Sequence, residues 1–362
     1  MTRRRKILAA CLVAALAGAP IAATSQVCTT SPNVSTVKAG LNNPRGLKFG
    51  PDGNLYVAEG GTAEGTLSTV DICPELQVPE VGPYTGGFTS SIARIEPDGT
   101  LTRIVTGLPS SRTTDDTGAF VSGVADVAFI GNALYGVMAG AGCSHAHVDS
   151  QNTVFAVSGS SIQPIADVGA FALANPTANE NPGDFEPDGT WYSLAAVRGQ
   201  LYTVEPNHGE IDRVSLDGTI HRVADVSAKY GHLVPTALAY DGNFYVGTLG
   251  TFEDGFLGKV IKVTPGGQMQ TVVDGLTSIT GLVVSGGSIY ILENEGGFVA
   301  APCAGRVLRV PRSGNQAKLD VVATGLFFPS AMTMGPDGNL YVSNFGYGFP
   351  AGAGEVVRVD LH

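Results

Sequence analysis

The sequence predicts an all-β fold, a six-bladed β-propeller closed by an N-terminal strand that completes the last blade. Three observations predict it. A tyrosine recurs in one slot, at Tyr56, Tyr135, Tyr202, Tyr245, Tyr290 and Tyr341, with steps of 79, 67, 43, 45 and 51 residues. Each tyrosine sits second in a short apolar run behind a glycine-containing turn, as in Leu55-Tyr56-Val57 and Leu340-Tyr341-Val342. Self-similarity at this period, in β-branched and aromatic segments, marks a propeller or an array. The third observation is a mismatch at the ends. The sixth repeat stops at Leu361-His362 after its third strand, while Val34-Ser35-Thr36-Val37 with Gly40-Leu41 reads as an outer strand with no repeat before it. One strand completing the other repeat explains both, and closure hides sheet edges. Two β-sandwiches would leave that mismatch unexplained.

Each repeat reads as four strands. The first carries a small residue and an apolar pair, as in Gly46-Leu47, Gly281-Leu282 and Ala331-Met332. A hairpin turn follows, such as Pro51-Asp52-Gly53-Asn54 or Pro336-Asp337-Gly338-Asn339, where glycine supplies positive φ. The second strand holds the tyrosine. Third strands alternate, as in Val260-Ile261-Lys262-Val263 and Val356-Val357-Arg358-Val359. Fourth strands include Arg103-Ile104-Val105 and Thr271-Val272-Val273, and several end in Gly-Leu.

Composition agrees. Glycine is 49 of 362 residues and charged residues only 15%, which suits many short strands and tight turns. Residues 1–23 read as a signal peptide: Arg3-Arg4-Arg5-Lys6, then an apolar stretch from Ile7 to Ala17, then small residues near Ala22-Ala23. Leu8-Ala9-Ala10-Cys11 also resembles a lipoprotein box, and the arginine run a twin-arginine signal. Residues 24–362 are then one propeller domain, secreted or otherwise extracytoplasmic, with no integral membrane segment after cleavage. Removing the four positive charges of the leader leaves 17 basic against 32 acidic residues, a balance of about −15. Such a surface repels nucleic acid and anionic lipid. Four cysteines remain, an even count that in an exported chain predicts two disulfides. Cys73 and Cys143 fall in loops of neighbouring blades and are the expected pair; Cys28, expected near the opposite face, and Cys303 pair by elimination.

In a propeller, the start of the inner strand and the loop between the second and third strands share one face. The long insertions Gly60–Thr89, Ala139–Asn152, Phe171–Trp191 and Glu295–Gly305 all map there. Surface loops tolerate length and carry function. The residues three places beyond each tyrosine are Glu59, Met138, Glu205, Thr248, Glu293 and Asn344. Inner strands add Arg45, Asp126, Ser193, Thr236, Thr280 and Ser330. A ring of oxygen donors at a channel mouth suits a hard divalent cation, with Ca²⁺ preferred and Zn²⁺ or Cu²⁺ open. The expected metal ligands are Glu59, Glu205 and Glu293. Glu205 and His208 are the catalytic candidates, and Arg45, Asp126, Asn207 and Asn344 the substrate-binding ones. His145, His147, His208 and His232 map to the same face. The competing reading is a merely solvated rim. No nucleophile elbow, phosphate loop or dinucleotide fingerprint occurs.

Asn43-Pro44-Arg45-Gly46-Leu47, Gly50-Pro51-Asp52-Gly53-Asn54-Leu55-Tyr56-Val57-Ala58-Glu59, Asn207-His208-Gly209-Glu210, Tyr245-Val246-Gly247-Thr248-Leu249-Gly250-Thr251-Phe252 and Gly335-Pro336-Asp337-Gly338-Asn339-Leu340-Tyr341-Val342-Ser343-Asn344 resemble the ScyD/ScyE family over about residues 37–360. These are exported NHL-like propellers named from scytonemin biosynthesis, one of which is implicated in metal-dependent coupling of indolic precursors. The resemblance implies an extracytoplasmic six-bladed propeller and assigns no catalytic residue. Two functions follow as expectations. One is a metal-dependent enzyme acting on a small organic substrate at the acidic mouth. The other is a non-catalytic binding or scaffold propeller that recognises a peptide, glycan or small ligand. The expected state is a monomer.

Overall fold

The computed structural model describes residues 28–73, 82–114, 120–179, 186–251, 254–295, 297 and 302–362. The expected signal peptide and parts of the long insertions lie outside these residues. Six antiparallel sheets follow one another along the chain. Blade 1 is built on strands Pro44–Phe49, Leu55–Glu59, Thr85–Ile95 and Leu101–Arg112. Blade 2 takes Val124–Ile130, Ala133–Met138, Thr153–Ser158 and Ser161–Asp167, and blade 3 Leu194–Val197, Gln200–Glu205, Glu210–Val214 and Ile220–Asp225. Blade 4 takes Pro235–Tyr240, Phe244–Thr248, Leu257–Val263 and Met269–Thr277, and blade 5 Ile279–Ser285, Ser288–Asn294, Gly305–Pro311 and Asp320–Leu326. Blade 6 has Ala331–Met334, Leu340–Asn344 and Gly354–Val359, and its outer strand is Val34–Leu41. That strand pairs antiparallel with Gly354–Val359, from Val34 opposite Val359 to Leu41 opposite Gly354. The six-bladed ring and its closure are as the sequence predicts.

Among the described residues, six apolar clusters form the core of the ring, one at each blade–blade interface. Each contains one of the six repeated tyrosines. Tyr56 lies edge-on to Phe129 of blade 2, with ring centroids 5.0 Å apart, and Tyr341 edge-on to Phe49 of blade 1 at 4.8 Å. The tyrosines are thus blade packing. Their position follows from strand alternation, which turns every second residue toward the same neighbouring blade. The small residue of the inner strand has a complementary cause. A Cβ on Gly46 would lie 1.9 Å from Asp126 Oδ1, because inner strands of adjacent blades approach closely near the axis.

Both expected disulfides form, Cys73–Cys143 and Cys28–Cys303. The position expected for Cys28 is corrected. Residues ahead of the closing strand run along the outer edge of blade 5: Ser31 N donates to Thr324 O at 3.2 Å, and Asn33 Nδ2 to Val322 O at 3.1 Å. The chain descends there and turns back up as the closing strand. Cys28 therefore starts beside Cys303, and the segment also covers a sheet edge. The blade 1 insertion extends its own sheet, where Leu67–Ser68 pairs with Thr85–Gly86, and Val121–Ser122, on the way to blade 2, pairs with Ser111–Arg112. No helix among the described residues is long and apolar enough to cross a membrane.

Candidate functional site

The central channel is closed at one end. First positions of the inner strands stitch each blade to the next. Ser193 Oγ donates to Thr236 O at 2.6 Å, Thr236 Oγ1 to Ile279 O, Thr280 Oγ1 to Pro329 O at 2.9 Å, and Ser330 Oγ to Pro44 O at 2.5 Å. Arg45 continues this belt. Its Nη1 donates to Val121 O at 3.1 Å. Its guanidinium lies between two rings, 4.9 Å from the centroid of Tyr192 and 4.6 Å from that of Tyr347. Those two hydroxyls hydrogen-bond each other, and Phe120 packs edge-on against Tyr347. Burial lowers the affinity of the Arg45 guanidinium for its proton, and the surrounding ring faces offset part of that cost. Arg45 is a plug, buried with both tyrosines.

Asp126 departs from the expected ring. The register pairs it with Val137, as Gly46 lies beside Leu47 and Val57 in blade 1, so it occupies the small-residue slot, and Ala125 takes the first position. One residue of offset turns a side chain to the other face of a strand. Its carboxylate accepts from Leu194 N at 2.8 Å and from Val127 N at 2.8 Å. Burial pushes its pKa up to about 6 against the lowering effects of Lys48, those two N–H groups and Arg45.

The other end is open. A cavity of about 560 Å³ is lined by the far halves of all six inner strands, including Lys48, Phe49, Phe129, Arg198, Tyr240 and Met334. It faces the side of the ring that carries the hairpins between first and second strands. This is opposite the insertion-bearing face where the sequence places the site.

The carboxylates three places beyond the tyrosines do a different job from the one expected. Glu59 accepts from Asn42 N at 2.7 Å, Ser91 Oγ at 2.5 Å, and Arg103 Nε and Nη2 at 2.7 and 2.8 Å. Glu293 accepts from Thr277 N at 3.0 Å and from Arg306 Nε at 2.7 Å. Glu205 accepts from Thr190 N at 2.8 Å and from His208 N at 2.5 Å. Asn344 Oδ1 accepts from Phe327 N at 2.8 Å. Asn42, Thr190, Thr277 and Phe327 are the equivalent residues where the chain crosses from an outer strand to the next inner strand. The slot is a staple that satisfies an N–H the ladder cannot reach. Met138 and Thr248 fill it in blades 2 and 4 without that bond. Glu59, Glu205 and Glu293 are fully buried in separate blades and are not brought together. Among the described residues, no group of three or more His, Cys, Asp or Glu is placed to hold a metal ion. The expected ligand set therefore does not fit a shared divalent cation.

The remaining candidates are distributed. His208 Nδ1 lies 3.7 Å from Glu205 Oε2, so the expected catalytic pair is adjacent, but neither lines the cavity. Asn207 Nδ2 donates to Glu186 Oε2 at 2.7 Å, and Tyr84 OH donates to Glu186 Oε1 at 2.9 Å. His145 Nδ1 is 2.7 Å from Ser111 Oγ, and its Nε2 is 3.9 Å from Glu186 Oε1. This buried network joins insertions of blades 1, 2 and 3 beside the Cys73–Cys143 bridge. His147 points elsewhere, toward Ser110 O at 3.0 Å, and burial lowers its pKa. In blade 3, burial and then the Glu210 charge raise the Asp212 carboxyl, while Arg222 pairs with Glu210. Sequence reasoning missed Tyr192, Tyr347, Glu186, Lys48 and Arg198. Lys48 and Arg198 were legible only as ordinary surface cations flanking hairpins.

No protein-family model matches the chain, and no curated protein matches it. Solved structures do. A putative oxidoreductase (glucose dehydrogenase) from Thermus thermophilus superposes with a TM-score of 0.55 at 16% identity, covering 90% of this chain and 98% of that one. The PQQ-bound form of an aldose sugar dehydrogenase from Streptomyces coelicolor gives 0.52 at 16%, covering 92% and 98%. A gluconolactonase from Xanthomonas campestris gives 0.54 at 10%, covering 90% and 89%. At these identities the likeness is one of fold, and the chain shares the six-bladed β-propeller architecture of these proteins.

Proposed function

We propose that this chain is an exported six-bladed propeller, of the ScyD/ScyE type its repeats resemble, that binds a small organic molecule in the open half of its central channel. The observation that carries the reading is the dead-ended cavity, plugged above by Arg45 between Tyr192 and Tyr347 and open below. Its volume of about 560 Å³ falls in the range of small-molecule sites. Two disulfides are in keeping with an oxidising compartment. The comparison proteins named for sugars and lactones support a propeller that handles small organic molecules, as an analogy of fold. The cavity wall carries Lys48, Arg198, Tyr240 and Thr333 as polar side chains and no carboxylate or imidazole. That wall supplies recognition groups, and the reading is of a binding propeller. A divalent metal held by Glu59, Glu205 and Glu293 is not part of it.

Ala196 lies exposed on the cavity wall, where a larger side chain fills the mouth without entering the core. Ligand-observed NMR of a fragment library against the mature protein should give hits that Ala196→Trp abolishes while the melting temperature holds. Hits that survive Ala196→Trp would place the binding elsewhere.

A further inference from the structure

The open cavity is cationic in an acidic protein. The chain has 32 acidic against 21 basic residues. Several basic side chains elsewhere on the blades are taken up by carboxylates: Arg94 by Glu96, Arg103 by Glu59, Arg309 by Asp320, Arg312 by Asp241 and Arg358 by Asp337. Lys48 and Arg198 line the cavity from blades 1 and 3, and neither forms an ion pair with a described residue. The carboxylates of the surrounding hairpins are committed. Asp52 accepts from Asn54 and Tyr56, Asp241 pairs with Arg312, and Asp337 accepts from Arg358 and Tyr341. The acidic group that acts on Lys48 is Asp126, buried in the channel wall, where Arg45 acts on it too.

The aromatic part of the wall is fixed in place. Phe49 stands edge-on to Tyr341, Phe129 edge-on to Tyr56, and Tyr240 tilts against Phe244 at 4.9 Å. Contacts between blades for Phe49 and Phe129, and within blade 4 for Tyr240, therefore set these rings before any ligand arrives, which lowers the ordering cost of binding.

Preset aromatic walls together with two uncommitted cations suit one class of molecule. We propose that the cavity takes a small organic anion with a flat apolar body, its carboxylate or sulfonate held by Lys48 and Arg198 and its ring against Phe49, Phe129 and Tyr240. This rests on the reading of the open half-channel as the ligand site and names its ligand class. Asp126 opposes the bound anion when ionised. Protonating it, which happens as pH falls through about 6, removes that opposition. The groups that face Asp126 are Lys48, Arg45 and the backbone N–H groups of Leu194 and Val127, and the N–H groups do not titrate. Anion binding therefore tightens toward acid pH.

The test compares 2-naphthoate with 2-naphthamide by titration calorimetry on the mature protein at pH 7.5 and 5.0. The expected result is a preference of about tenfold for the anion, equivalent to ~1.4 kcal/mol, that weakens as salt rises. The double variant Lys48→Gln/Arg198→Gln should lose the preference yet keep the amide, which reports an intact cavity. Arg198→Gln alone, at an exposed turn, should lose part of it. Asp126→Asn should flatten the pH dependence. Equal binding of the two compounds to the wild type overturns the anion assignment, while loss of both in Ala196→Trp leaves the cavity reading standing. If neither compound binds the wild type, both fall.

Discussion

Replacing Glu59 by alanine separates a structural staple from a metal ligand. The carboxylate is fully buried and accepts four hydrogen bonds, two of them from Arg103. Removing one partner of a buried charge pair costs about 3–5 kcal/mol, whereas an exposed pair is worth at most about 1. The Arg103 side chain is 32% exposed, so its guanidinium recovers water and the pair falls between these limits, at about 2 kcal/mol. The Asn42 N–H, left without its acceptor, adds about 1 kcal/mol. A domain of this length unfolds with an entropy of about 0.7 kcal/mol/K, so a loss of about 3 kcal/mol lowers the melting temperature by about 4 °C. Calorimetric melts of wild type, Glu59→Ala, Arg103→Ala and the double variant measure the shift and the coupling. A Glu59→Ala melt within about 1 °C of wild type refutes the staple. A bound metal that native mass spectrometry finds in the wild type and not in the variant refutes it equally.

Further expectations follow from the same interactions. Asp126, raised to about 6, binds a proton more tightly in the folded than in the unfolded chain. Stability from this group is therefore full below about pH 4 and is lost as pH rises through 6, leaving a cost of about 3 kcal/mol above it. Asp126→Asn should raise the melting temperature at pH 7.5 and remove that slope, which melts across pH 4–8 will show. The Cys28–Cys303 bridge closes a sequence separation of 275 residues. Cys28→Ser with Cys303→Ser should cost up to about 5 kcal/mol and shift the melt by up to about 7 °C, read under non-reducing conditions. Deleting residues 28–41 leaves Gly354–Val359 as an open edge, and size-exclusion with light scattering should then find aggregates in place of a monodisperse protein.

The ring was legible because its determinants are local. A tyrosine behind an Asp-Gly turn, and an alternating strand after it, report the same supersecondary unit each time it recurs. The missing outer strand of the sixth repeat could be matched to Val34–Leu41 by counting alone. Both disulfide pairings were also legible, since blade order puts Cys73 and Cys143 in adjacent loops. The site was not. Glu59, Glu205 and Glu293 sit where the sequence puts them, at the ends of second strands, but what they touch comes from elsewhere in the chain. Arg103 is 44 residues beyond Glu59, on the outer strand, and the Asn42 N–H belongs to the crossover. Asp126 was placed one residue out of register, because a single offset is invisible in a repeat whose first position is variable.

By itself the sequence determined the number of blades, the strand that closes the ring and the residues between blades. Period, turn chemistry and alternation are properties of short segments, and each repeat states them again. Tertiary structure alone decided which end of the channel is open. The plug joins Arg45 of blade 1 to Tyr192 ahead of blade 3 and Tyr347 of blade 6, and the cavity wall takes residues from all six blades. Groups this far apart in sequence meet only because the ring closes. The charge on each is fixed by composition, but whether it is spent on a neighbour or left for a ligand depends on that closure.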